Sequence, residues 1–144
     1  MLVKCLRTQP DDEQKKALGA YYEKYASKQD CHLTTGKDYL VLGLTMNTGI
    51  PRMALGILVT VLCDFGHIES YPIVLFEVLD GTVDPEWQVH VCRDGIVEVE
   101  PELMHTPHFE EDHSERVPEI RKAFDELFHR MNGRQGLSTK MKIQ

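Results

Sequence analysis

The segment Trp87-Gln88-Val89-His90-Val91-Cys92-Arg93-Asp94-Gly95-Ile96-Val97-Glu98-Val99-Glu100 decides the fold class. Trp87, Val89 and Val91 alternate with polar neighbours, the period of a strand with one apolar face. Arg93-Asp94-Gly95 is a tight turn, and Ile96 to Glu100 returns as the partner strand. Asp-Gly between two such runs is a strong hairpin signal, because glycine supplies the positive φ that the turn needs. Neighbouring strands are therefore expected to pair antiparallel, and Pro101 ends the hairpin.

Towards the N-terminus the same pattern repeats. Ile73 to Val78 reads as a strand, with Pro72 at its start or in the connecting loop. Asp64-Phe65-Gly66 is a turn. Leu55 to Cys63 is rich in β-branched residues and reads as a strand, as does Asp38 to Met46, with the turn Asn47 to Pro51 between them. The apolar run Met53 to Cys63 has eleven residues, interrupted by Gly56 and Thr60. A membrane-spanning helix needs about 20, so the run is expected to be a buried strand. Leu2 to Leu6 reads as a first strand. Asp11 or Asp12 then caps a helix to Lys28 whose apolar face is Leu18, Tyr21, Tyr22 and Tyr25.

After Pro101 a loop is expected to run to about Val117. A last helix then follows, with Pro118 in its first turn and a buried face of Val117, Ile120, Phe124, Leu127, Phe128 and Met131. Asn132-Gly133 is a helix stop. Residues 1–133 thus form one domain, and the basic tail 134–144 is expected to be disordered. Strands joined by short turns, without crossover helices, predict an α+β fold. Its form would be a curved antiparallel sheet or half-barrel with an N-terminal and a C-terminal helix packed on it.

The 144 residues are 42% hydrophobic and 27% charged, the balance of a globular chain. The net charge of −7 is localised: residues 98 to 126 hold ten carboxylates and three basic residues, and the rest is balanced at 13 of each. A focused acidic field repels nucleic acid and attracts cations. No apolar signal segment follows Met1, and neither a signal peptide nor a membrane span is expected. Cys5, Cys31, Cys63 and Cys92 are widely spaced without a Cys-x-x-Cys pair, and all four are expected to be reduced thiols in a cytoplasmic protein.

Catalytic signatures are missing. Neither GxxxxGK[ST] nor GxGxxG occurs. Cys31-His32 are adjacent, and neighbours on a chain rarely present both groups to one substrate. His105, His108 and His113, with Glu110, Glu111 and Asp112, offer zinc-type donors. Their spacing matches neither HExxH nor a finger, so no metal and no other cofactor is expected. The acidic residues Glu98, Glu100, Glu102, Glu110, Glu111 and Asp112 are the candidate partner-binding set.

From Leu33 to Leu44 the chain reads Leu-Thr-Thr-Gly-Lys-Asp-Tyr-Leu-Val-Leu-Gly-Leu. Later come Tyr71-Pro72-Ile73-Val74-Leu75-Phe76-Glu77-Val78, Val83 with Trp87, His108-Phe109 to Asp112-His113, and Val117-Pro118. This series, over somewhat more than half of the chain, resembles small immunity proteins of bacterial polymorphic-toxin and contact-dependent growth inhibition systems. The helix from Asp12 to Lys28 departs from that family, which has a short loop there. The resemblance implies a non-enzymatic cytoplasmic protein that binds a cognate toxin domain, often a nuclease, and blocks it. A basic toxin would suit the acidic region. The competing expectation is a small ligand-binding or enzymatic domain with its site in the concave face of the sheet.

Overall fold

The computed structural model describes the backbone of residues 1–16, 31–47, 57–93 and 95–143, and the side chains of these except 47 and 137–143. The fold is α+β with antiparallel pairing throughout, and its strands divide into two sheets, neither closed into a barrel. The first sheet has the order β2-β1-β6, from β1 (Leu2–Cys5), β2 (Asp38–Leu40) and β6 (Phe76–Asp80). The second has the order β5-β4-β3-β8-β7. Its strands are β3 (Gly43–Asn47), β4 (Ile57–Leu62), β5 (Ile68–Pro72), β7 (Trp87–Val91) and β8 (Ile96–Pro101).

The hairpin that decided the fold class forms in register, with Val89 opposite Val99 and Val91 opposite Val97. Gly95 turns the chain at φ 83°, and the Cys92 N–H reaches the Ile96 carbonyl at 2.8 Å. Its apolar face is core at one end only. Trp87 is buried, whereas Val89 and Val91 are 67% and 74% exposed. They lie along an edge strand, beyond the part of the sheet that the core cluster covers.

The expected strand Asp38 to Met46 is two strands. At Val41-Leu42 the chain passes from one sheet to the other, and both side chains are fully buried. The stretch expected as Ile73 to Val78 also divides: Ile73–Leu75 is a 3-10 turn, and the strand is Phe76–Asp80. Ile68–Pro72 is a strand that the reading missed. It is an edge strand, the place where proline's missing N–H costs no ladder bond. The N-terminal helix is described only at residues 12–16, so its face Leu18 to Tyr25 lies outside the described residues, as does most of the turn Asn47 to Pro51.

The expected loop after Pro101 is instead a 3-10 turn, Glu102–His105, and a short helix, Phe109–Ser114. Phe109 and His113, four residues apart, are both buried and give that helix an inward edge. Three acids in its first turn suit its positive end.

The C-terminal helix spans Pro118–Ile143 and buries Phe124, Leu127 and Met131. It does not stop at Asn132-Gly133, because the next turn is tied down. Arg134 grips Asp84 through two bonds of 2.9 and 3.1 Å, and the buried Gln135 donates to Asp80 at 2.8 Å. Those contacts offset the roughly 1 kcal/mol that glycine costs a helix interior. Arg134 and Gln135 therefore belong to the packed fold rather than to a loose tail. One hydrophobic cluster takes residues from both sheets, from the short helix Phe109–Ser114 and from the C-terminal helix.

Phe124 sits at the centre of an aromatic group, 6.1 Å from Phe109, 4.6 Å from His113 and 5.9 Å from Phe128, centroid to centroid. Phe124→Ala is expected to cost about 3–5 kcal/mol, read as a lower urea midpoint at unchanged slope. An unchanged midpoint would mean that the helix is peripheral to the core.

Candidate functional site: an acidic cleft on the second sheet

Strand register lays out one polar face of the five-stranded sheet. Ser70 pairs with Thr60, and Thr60 with Gly43. In the next row Thr45 pairs with Glu98, and Glu98 with His90. Gly43 has a steric reason to be glycine: a Cβ there would stand 2.9 Å from the Cβ of Glu100 and 3.0 Å from the Val99 carbonyl oxygen. The bare backbone lets Glu100 settle beside it.

The 3-10 turn and the short helix roof this face and leave a cleft of about 460 Å³. Thr45, Thr60 and Ser70 line its floor, with Glu98 and Glu100, while Met104, His105, Phe109, Glu110 and Glu111 come from the roof. His105 is its keystone. Its Nδ1 lies 3.1 Å from Glu98 and 3.4 Å from Glu100, and its ring stacks on His90 at 3.7 Å. The donor atoms of Glu98, Glu100 and His105 all lie within 4.8 Å of one another, close enough to share one cation.

The electrostatics of this cleft are unrelieved. Burial pushes the Glu100 carboxyl up to about 7, and the neighbouring Glu98 adds to the rise, against a hydrogen bond from His105. Partial desolvation also raises Glu110, again with help from Glu98, although the residue keeps an exposed edge. No Lys or Arg lines the cleft among the described residues. His90 contributes a buried Nε2 that lacks a hydrogen-bond partner among the described residues.

Four of the six candidate residues therefore meet here: Glu98, Glu100, Glu110 and Glu111. Glu102 does not, and faces a separate depression with Glu86, Gln88 and Arg130. Asp112 stands outside the cleft lining. The three histidines considered as metal ligands part ways: His105 enters the cleft, His108 pairs with Glu111 at the exposed rim, and His113 is core. His113 accepts from Arg121 at 3.1 Å, and burial first, then Arg121, lowers its pKa. His90, Thr45, Thr60 and Ser70 were missed. A signal for His90 existed, since it lies opposite Glu98 once the hairpin is closed at Asp94-Gly95.

The Glu100 shift has a sign that stability measurements can read. A carboxyl raised in the folded state contributes stability that is full below its unfolded value of about 4.5 and is lost as pH rises through about 7. His113, shifted down, acts oppositely, with stability present above 6.5 and lost as pH falls. Subtracting urea midpoints of Glu100→Gln from wild type isolates the first effect. The variant should gain on the wild type steadily between about pH 4.5 and about pH 7; a flat difference would mean that Glu100 is solvated.

The chain matches no protein-family model, no curated protein and no solved structure, so the chemistry of this cleft carries the functional reading.

Proposed function

We propose that the protein is an immunity protein: it binds a cognate toxin domain in the cytoplasm and neutralises it, without catalysis of its own. The observation that carries this reading is the acidic cleft itself, in which Glu98, Glu100, Glu110 and Glu111 meet with no Lys or Arg in the lining among the described residues. A lysine or arginine side chain of a basic toxin domain would supply the missing charge. It would lower the cost of ionising Glu100 and Glu110, and free energy released there is available to binding. Glu111, exposed at the rim, would act earlier by steering encounter.

These two positions separate the contributions. Against the toxin domain encoded directly upstream, Glu100→Gln should weaken binding by roughly 2 kcal/mol or more, mainly through faster dissociation. Glu111→Lys should slow association and reduce its dependence on salt, with dissociation little changed, because exposed charges are screened over about 8 Å at physiological ionic strength. Assay of toxin activity at excess protein decides the larger question. Full residual activity would end the immunity reading and leave the cleft to a small cationic ligand.

A further inference from the structure

A second polar cluster lies at the other side of β4 and shares no residue with the cleft. It gathers His32 on the segment leading to β2, Cys63 just after β4 and Glu69 in β5. A ring nitrogen of His32, the Cys63 sulfur and a Glu69 carboxylate oxygen lie within 4.8 Å of one another. Thiolate, imidazole and carboxylate together are a donor set for zinc-like ions.

The backbone holds these groups in place. The Asp64 N–H reaches the His32 carbonyl at 3.0 Å, and the Cys63 N–H reaches the His67 carbonyl at 2.8 Å. A tight turn follows, with the Gly66 N–H on the Cys63 carbonyl at 2.9 Å and Gly66 at φ 79°. Glu69 is oriented from behind: the Tyr71 hydroxyl donates to its Oε2, leaving Oε1 at 3.1 Å from the His32 Nδ1. Such outer bonds orient metal-binding carboxylates. The Phe65 ring packs on His32 at 4.5 Å.

Cys63 is the second observation. It is only 4% exposed, and its sulfur makes no hydrogen bond among the described residues, although it faces two polar groups. Cys31 stands nearby, its sulfur accepting from the Leu33 N–H, outside the group of three. A packing role would explain a buried cysteine, and its place beside a paired imidazole and carboxylate adds a donor set.

We propose that His32, Cys63 and Glu69 bind a thiophilic divalent cation of the zinc class. Binding replaces the proton of the Cys63 thiol, which passes to solvent, while histidine binds neutral and glutamate binds ionised. Three protein ligands leave the fourth position of a tetrahedral ion to water, and the ion ties the segment holding His32 to the turn after β4.

The test uses the whole chain, freed of metal by chelator and titrated with cobalt(II). One equivalent should bind, with the visible bands of tetrahedral cobalt and a near-ultraviolet thiolate charge-transfer band, and zinc should displace it. Cys63→Ser should abolish the thiolate band or weaken binding by at least about tenfold; His32→Ala should do the same, and His129→Ala, on an exposed helix position, should not. Should Cys63→Ser fail to fold, wild type decides alone, because a thiolate band requires a bound cysteine and zinc should remove it by displacing the cobalt. No binding, cobalt binding without a thiolate band, or binding that survives Cys63→Ser would overturn the proposal. An ion held by Glu98, Glu100 and His105 instead would give the last two of these results.

Discussion

Between Leu40 and Gly43 the chain leaves one sheet and enters the other, and the rest of the structure depends on how that crossing is held. The Val41 N–H bonds at 3.0 Å to the carbonyl of Met1, the residue before β1, and the Leu42 N–H bonds at 2.8 Å to the Thr60 carbonyl in the second sheet. Both side chains are fully buried. The crossing fixes the phase of β3 against β4 and β8. Because side chains alternate along a strand, a slip of one residue would exchange the two faces of the sheet. Gly43 beside Glu100, and Thr45 opposite Glu98, follow from that phase.

Two acidic groupings on this framework meet opposite fates. Asp84 and Glu86 face Arg130 and Arg134 from the C-terminal helix, and hydrogen bonds from Arg130 and Arg134 hold the Glu86 carboxyl down to about 2 despite partial burial. Their charge is spent on fastening the helix to the loop before β7. Glu98 and Glu100 have the imidazole of His105 beside them rather than a guanidinium, and Glu100 is pushed up to about 7. An acid with its counter-charge built in is architecture, whereas a half-buried group of acids without one is suited to a cation from outside. Net charge alone treats the two alike.

The local patterns legible in the sequence were those set by near neighbours. The hairpin of β7 and β8, the turn at Asp64 to Gly66, and the buried positions Phe124, Leu127 and Met131 are short-range signals, and the structure has them. What escaped depends on distant contacts. Asp38 to Met46 reads as one strand because nothing local marks Val41-Leu42 as the passage between sheets. Asn132-Gly133 reads as a stop because Asp80 and Asp84, some fifty residues earlier, hold the following turn. For the site, the sequence located the acids but not their convergence. Glu98 and Glu100 lie on the polar face of β8, whereas Glu102 falls past Pro101, on the turn, and faces elsewhere. The short helix that brings Glu110 and Glu111 over the sheet was hidden in a polar segment containing Pro107.

The titration of the Glu100 side-chain carboxyl, followed by carbon NMR in the free protein and in a complex with the proposed toxin partner, tests the central claim most directly. The account predicts a midpoint near 7 in the free protein and a fall towards the ordinary carboxylate range in the complex, as a basic side chain enters the cleft. A free-state midpoint near the usual value of 4.5 would contradict the buried acidic cleft, and a midpoint unmoved by the bound toxin would place the interface elsewhere.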